Sequence, residues 1–477
     1  MKRVFIDVSA DLTRIALAED GKLQELYYES KREESLVGNI YAGRVANVMP
    51  NLQAAFVDIG TGKNGYFYYG NVRAVSDEGK NAARPKTGDT LVLQVEKDAV
   101  GEKGAVLTDR FSFPGKFLVL LPTEKGEIGI SRKITDSAER ERIRGIIAEL
   151  LPEGCGVIVR TNGAGKGREE YEKEINALRK KWDKLDQGQF LLPPALLLQE
   201  THPVKRAVRD FYAADVAEFV LNDEQAYEEL CQTGDFGGEG QPALRYYGEK
   251  LPMFEAYFLE SQSEKALEER VWLKSGGFLV IEETEACVVI DVNTGKAAGR
   301  GDLQKTILRT NLEAAEEAAK QMRLRNLSGI IIIDFIDMAS AEAQKEVTRT
   351  LEAAVKKDRI KTLVVGMTEL GLMQVTRKKT RPSLKRQMTT KCRACEGTGR
   401  LPSIEWTVTK MRRQAESIFA NTIYQKITVR ADSRLLSAFA GKEEVYLKKL
   451  EENYGGKVVL EPAPMEFGHF EIEKQKA

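Results

Sequence analysis

GGFLVIEETEACVVIDVNTG (residues 276–295), followed by LQKTILRTNLEAAEEAAKQMRLR (303–325) and GIIIIDFIDM (329–338), decides the fold. The first piece reads as a hairpin whose second strand ends near Asp291. The second has apolar residues on one face of a long helix. After Gly329 comes a continuous apolar run of the kind found in strands buried on both faces. A second helix, SAEAQKEVTRTLEAAVKKD (340–358), and a strand, KTLVVG (361–366), complete a βαβαβ pattern. In such a unit the two strands are parallel neighbours joined by a right-handed crossover, and their C-terminal ends share one crevice. Asp291 and Asp334 occupy those ends.

Asn293 lies two residues beyond Asp291, on the same face of an extended chain, where a carboxamide can hold a carboxylate or a metal-bound water. Two carboxylates and a carboxamide, with no His or Cys nearby, form an oxygen-only donor set suited to Mg²⁺ or Mn²⁺ and poor for Zn²⁺. Taken singly, Asp291 reads as a turn cap and Asp334 as a cap or hydrogen-bond acceptor at a helix start. Together on adjacent strand ends, with Asp337 one turn on, they favour a metal that activates water against a phosphodiester.

Downstream, KCRACEGTGR (391–400) places Cys392 and Cys395 in C-x-x-C spacing, half of a tetrahedral thiolate site. A second copy of the chain supplies the other half across a two-fold axis, which makes the motif a dimer clasp. A redox dithiol and a fortuitous pair are the competing readings. Just before it, residues 376–393 hold eight Lys/Arg and no acid, a solvated surface or a hold on a polyanion backbone.

Upstream, five short strands between residues 39 and 111, with a charged loop at 76–88, suit a small closed barrel of OB type. Phe56, Tyr66 and Tyr68 lie on strands that in such folds present aromatics for base stacking, with Lys103 available for phosphate. Any one of them alone reads as core, but alternation puts Tyr66 and Tyr68 on one face. Residues 1–35 read as a three-stranded meander that cannot close a core by itself. Residues 111–204 mix strands with heavily charged helices.

The whole chain has 477 residues, 72 Lys+Arg against 72 Asp+Glu and 42% hydrophobic content. That composition fits a multidomain globular protein and excludes disorder as its main state. No apolar run reaches the roughly 18 to 20 residues of a membrane span, and the apolar stretch after Met1 ends at Asp7, too early for a secretory signal. A cytoplasmic location is expected. Five cysteines cannot form a disulfide scaffold for so long a chain, and His202 and His469 leave little room for histidine catalysis. Zero net charge means that any nucleic-acid surface must be local.

The motifs GNIYAGRV with AAFVDIG, GVIVRTNG, IDVNTG, RTNLEAAEEAAKQMRLRNLSGIIIIDFIDM and CRACEGTG, in this order, resemble the bacterial ribonuclease E/G family over nearly the whole chain. The resemblance implies an α/β multidomain fold. An RNase H-like domain (1–35 and 205–266) would carry an inserted S1 barrel (36–110) and a 5′-sensor domain (111–204). A DNase I-like catalytic domain (267–388), a zinc link (389–402) and a small oligomerisation domain (403–477) would follow. The implied activity is single-strand-specific endonucleolytic RNA cleavage leaving a 5′-phosphate and a 3′-hydroxyl, in rRNA processing and mRNA decay. Asp291 and Asp334 match the Mg²⁺ ligands, Asn293 the side chain that orients Asp334, and Cys392 and Cys395 the zinc shared between chains of a dimer or tetramer. Phe56, Tyr66 and Lys103 match the S1 contacts to RNA, Tyr66 standing where the family has Phe; a tyrosine ring keeps the stacking face.

Gly115, Val119, Arg160 and Thr161 match a pocket for a 5′-monophosphate, joined from the catalytic domain by Lys361 where Arg is expected. Backbone N–H groups near Val119 would complete its cradle, whereas an isolated Arg160 would pair with an acid of the 169–174 helix. A scaffold tail for a degradosome is not expected. Two alternatives stand beside this reading. One is a non-catalytic RNA-binding or RNA-chaperone protein with a zinc-linked dimer, since C-x-x-C-x-G-x-G is similar to one repeat of a chaperone zinc region. The other is a nuclease site built on Asp7, placed like the first acid of an RNase H site.

Overall fold

Alternation in the first thirty residues produces three antiparallel strands, β1 (Lys2–Val8), β2 (Leu12–Glu19) and β3 (Lys22–Ser30). Asp20 and Gly21, both at positive φ, make the tight turn between β2 and β3. The computed structural model describes residues 1–30, 35–70, 84–99, 103–186, 192–200, 202–238, 240–295, 303–465 and 468–475. Only residues 84–88 of the charged 76–88 loop fall among them.

Five strands follow: β4 (Ile40–Met49), β5 (Ala54–Asp58), β6 (Gly65–Tyr68), β7 (Thr90–Lys97) and β8 (Val106–Thr108). They pair in the order β4-β5-β6-β8-β7, and β7 returns to β4, which closes the barrel. Its interior is Val45, Ala55, Val57, Phe67, Leu93, Val95 and Leu107.

β9 (Phe113–Pro114), β10 (Leu118–Leu121), β11 (Ile128–Ile130) and β12 (Gly156–Val159) form a four-stranded sheet covered by α1 (Ser137–Leu150) and α2 (Arg168–Asp186). Asp136 caps α1 by accepting from the Ala138 N–H. β13 (Ala195–Leu198) returns to the barrel beside β4. After α3 (Pro203–Phe211), β14 (Val216–Leu221) pairs parallel with β1. α4 (Glu224–Cys231) leads to β15 (Ala243–Tyr246), and the first sheet is complete as β15-β14-β1-β2-β3. Helices α5 (Met253–Ala256) and α6 (Leu259–Lys265) follow.

The second large sheet contains β16 (Arg270–Trp272), β17 (Phe278–Glu283), β18 (Val288–Asn293), β19 (Gly329–Asp334), β20 (Thr362–Met367) and β21 (Leu372–Arg377), ordered β16-β17-β18-β19-β21-β20. α7 (Leu303–Leu324) crosses from β18 to β19, which run parallel, and α8 (Ala341–Val355) leads to β20. Two sequence-based expectations are corrected here. The third strand of the βαβαβ pattern is not the neighbour of β19; the hairpin partner β21 inserts between them, antiparallel to both. Nor is β19 buried on both faces. Ile331 and Ile333 pack against the alanines of α7 and against Val347 and Leu351 of α8, whereas Ile330 is 58% exposed. Both helices lie on one side, and the other face of the sheet is open.

The chain divides into two compact units, Met1–Gln387 and Met388–Ala477. After α9 (Leu384–Met388), the second contains α10 (Ile404–Asn421), α11 (Ser433–Ala440) and α12 (Val445–Tyr454). They pack on the sheet of β22 (Lys426–Ala431), β23 (Lys457–Pro462) and β24 (Phe470–Gln475) around Met411, Ile427, Val429, Leu435 and Phe439. Among the described residues no helix is long and apolar enough to cross a membrane.

Candidate active site

β18 carries Asp291 two residues before its end and β19 ends in Asp334, and the parallel register sets the two acids directly opposite each other. Neighbouring strands are about 4.8 Å apart, so the two carboxylates leave the sheet side by side. Their inward neighbours Ile290, Val292, Ile331 and Ile333 are buried, which turns both acids to the open face. Asn293 follows on that face, and its Nδ2 donates to Asp291 Oδ2 at 2.7 Å. The family resemblance pairs this carboxamide with Asp334; here it holds Asp291. Asp337 is exposed just beyond β19.

From inside α7, buried Asn311 grips the chain two residues past Asp334: its Nδ2 donates to Ile336 O at 2.8 Å and its Oδ1 accepts from Ile336 N at 3.1 Å. No sequence argument singled out Asn311, although an Asn in phase with Ile307, Ala314, Ala318 and Met322 on the apolar stripe is such a signal. The donor set at the strand ends fits a hard divalent cation, because it is all oxygen and open to water, and Mg²⁺ keeps several waters. Among the described residues no group of three or more His, Cys, Asp or Glu side chains converges, so protein would supply few ligands.

The four residues of the first unit expected to receive a 5′-monophosphate come together. Arg160 sits where β12 ends, its N–H bonded to Phe117 O, and its Nη1 donates to Gly115 O at 2.7 Å. Val119 lies on β10 opposite Ile158, and the Thr161 and Ser131 hydroxyls share a 2.9 Å hydrogen bond. Arg160 pairs not with an acid of the 169–174 helix but with Asp210 of α3, at 3.0 Å. The helix acid Glu174 instead accepts from the N–H groups of Lys116, Phe117 and Leu118 at 2.6 to 2.9 Å. Those N–H groups next to Val119 are therefore already occupied by a carboxylate. Burial pushes the Glu174 carboxyl up despite the three donors. A side chain at Gly115 would meet the Glu174 carboxylate at 2.5 Å and displace it from those N–H groups.

Lys361 is exposed on the connection between α8 and β20. That connection reaches the pocket wall, because Lys133 donates to Asp358 O and Arg359 Nη1 to Asp210 O. No hydrogen bond or ion pair among the described residues joins the Lys361 amine to the other four.

On the barrel, Phe56 of β5 pairs with Tyr66 of β6, ring centroids 6.0 Å apart, both half-buried and facing outward. Tyr68 shares that face and donates to Gln53 Oε1. Exposed Lys103 precedes Gly104, where a Cβ would stand 1.9 Å from Asn64 O, and Ala105, whose O accepts from Tyr66 N. Glycine at 104 thus lets the chain after Lys103 pass close to Asn64, two residues before Tyr66.

The basic run is partly structural. Arg377, 3% exposed, bonds Asp358, Asn326 and Leu327 O, and Arg381 lies 3.3 Å over the Tyr27 ring. In the second unit, Cys395 Sγ accepts from Gly399 N at 3.3 Å, and N–H groups of Gly399 and Gly397 hold its thiol below the usual range. Exposed Cys392 and half-buried Cys395, three residues apart on this turn, fit half of a zinc site. Asp7, the alternative acid, has both oxygens engaged. Arg14 donates twice to Oδ2 and Asn222 once to Oδ1, while Arg14 also pairs with Glu260 and lies over Phe254.

Paired carboxylates, a closed barrel and this order of elements agree with sequence comparison, in which the ribonuclease E/G family matches residues 112–380. The chain belongs to that family and is an endoribonuclease. It is 34% identical to ribonuclease G of Escherichia coli strain K12 over 480 residues, 97% of each chain. To ribonuclease G of Haemophilus influenzae it is 35% identical over 429 residues, 87% of each chain. To ribonuclease E of the same organism the identity is 33% over 493 residues, which cover 99% of this chain and 52% of that protein.

Proposed function

We propose that the chain is a Mg²⁺-dependent endoribonuclease that cuts single-stranded RNA to 5′-phosphate and 3′-hydroxyl ends and is stimulated by a 5′-monophosphate on its substrate. The in-register pair Asp291 and Asp334, with Asn293 bound to the former, carries this reading. When bound, the ion would supply an activated water and charge neutralisation at the scissile phosphate. Asp291 and Asp334 would hold it, and Asn293 keeps the Asp291 carboxylate turned outward. Phe56 and Tyr66 would stack on bases and Lys103 would meet phosphate. Gly115, Val119, Arg160, Thr161 and Lys361 would receive the 5′ end. The first sheet supports an RNase H-like domain, the second with α7 and α8 a DNase I-like one, and Cys392 and Cys395 would share a zinc with a second chain. Precursor rRNA and mRNA in the cytoplasm are the expected substrates.

The test is a short 5′-labelled single-stranded RNA incubated with and without Mg²⁺. Cleavage should require the ion, and Asp291→Asn or Asp334→Asn should lower kcat by on the order of 10³-fold or more with RNA affinity kept; Asn293→Ala should impair less. Cutting that survives in both Asp variants would defeat the proposal, and binding without any cutting by the unmodified protein would favour the RNA-chaperone alternative.

A further inference from the structure

The strands beside the paired carboxylates carry an aromatic cluster on the same open face. Residues directly opposite each other on antiparallel neighbours project to one side of a sheet. Val280 of β17 faces Asp291, and Arg270 of β16 faces Val280, so Arg270, Val280, Asp291 and Asp334 form one row across four strands. Trp272, Phe278 and Asn293 form the next row. The intervening residues Val271, Leu279 and Val292 turn inward to the core under α7 and α8.

Within the cluster the Trp272 and Phe278 rings lie 5.3 Å apart and tilted. The Arg270 guanidinium sits 4.4 Å over Phe278 and 5.8 Å from Trp272. Phe278 is therefore covered on one side, and the bare surface belongs to the indole, which is 61% exposed. What sets this indole apart from the chain's other exposed hydrophobics is its grouping with Phe278 and a guanidinium on the open face that carries the paired carboxylates. Arg270 makes no ion pair among the described residues, which leaves its N–H edge for an anion. Two strand spacings, about 10 Å, separate the platform strand from that of Asp291, and three, about 14 Å, from that of Asp334.

We propose that Trp272 stacks a nucleobase of single-stranded RNA next to the scissile phosphate, with Arg270 contacting the neighbouring backbone phosphate. The proposal rests on the reading of Asp291 and Asp334 as the cleavage site and adds to it a base-binding subsite outside the barrel. An open π-face beside an unpaired guanidinium is the combination that binds single strands without reading sequence. Its position in the row that leads to Asn293 favours RNA over a second copy of the chain.

The experiment compares the intact protein with Trp272→Ala and Trp272→Phe on a short single-stranded RNA and on versions carrying one abasic nucleotide at each position around the cut. Trp272→Ala should lower kcat/KM on the full RNA by on the order of 5- to 150-fold, the worth of one base–aromatic stack. One abasic position should cost the unmodified protein a similar factor and cost Trp272→Ala little more, while Trp272→Phe restores most of the rate. RNA affinity measured in chelator should show the same pattern. That arm reports on the platform even if the carboxylates prove not to cut, and cleavage by the unmodified protein reports on the carboxylates even if the platform fails. Two outcomes would overturn the proposal: a rate unaffected by Trp272→Ala, or a loss identical on full and abasic RNA and accompanied by a change in oligomeric state, which would make the cluster a chain–chain contact.

Discussion

Arg160 directs Nη1 and Nη2 at Asp210 Oδ1, each at 3.0 Å, and a second Nη1 hydrogen at Gly115 O. Three of its five donors are thereby committed. The Nε and outer Nη2 hydrogens remain as one fork, suited to two oxygens of a terminal phosphate. Asp210 also accepts from Arg209, which is itself paired with Glu200. Burial alone would raise the Asp210 pKa, but Arg209 and Arg160 outweigh it and hold it below the ordinary aspartate value. A depressed carboxylate contributes stability above its unfolded pKa and loses it as pH falls through the lower folded value. The melting difference between the unmodified protein and Asp210→Asn should therefore be full at neutral pH and shrink below about pH 4. At neutral pH the same variant should slow cleavage of 5′-monophosphorylated RNA several-fold toward the 5′-hydroxyl rate, as should Arg160→Ala, with the hydroxyl substrate unchanged. Equal loss on both substrates would mean that Asp210 serves folding alone. No local pattern in RAVRDFYAAD marks Asp210, because its partner Arg160 lies 50 residues away.

Asn311 shows what one helix does for the strand beside it. By pairing both its amide atoms with Ile336, it fixes the exit of the chain from Asp334 against the middle of α7. Asn311→Leu keeps the branched shape but orphans two backbone groups. We expect a stability loss of about 1–3 kcal/mol and, at temperatures where the variant is folded, a kcat at least tenfold lower with unchanged RNA affinity. Equal kcat would show the clamp to be purely structural. Of these elements, β18, α7 and β19 were legible because each has a long unbroken period and an acid stands at or near the end of each strand. The strand β21 was not, since LMQVTR runs straight into the Lys/Arg stretch and only pairing with β19 and β20 reveals it. The open face of β19 was equally hidden. Four isoleucines in succession say that one face is covered but not whether a second layer exists.

Across the first unit, the connection between α8 and β20 is where separate sheets meet. Arg359 lies over Phe211 and approaches Glu25 of β3, while buried Asp358 is bound to Arg377 with both side chains almost wholly enclosed. Asp358→Ala leaves that guanidinium buried and unpaired and should cost about 3–5 kcal/mol by chemical denaturation; a change under 1 kcal/mol would contradict the ion pair. In the second unit, Cys392 and Cys395 should hold one zinc per two chains, so metal analysis giving one zinc per chain, or assembly unchanged after both become Ser, would exclude the shared site. The family's motifs made these cysteines readable, yet the joining of residues 2–30 with residues 216–246 could not be read from either segment alone. That joining also sets a schedule. β1 lies in the middle of its sheet, and its register partners on one side begin at Val216. At ribosomal rates of roughly 5–20 residues per second, on the order of 10–40 s pass between synthesis of β1 and synthesis of β14. For that interval a hydrophobic hairpin edge waits, with the barrel and the four-stranded sheet free to fold first. Nascent chains halted before residue 216 should therefore be the ones that chaperones hold and proteases cut near the N-terminus.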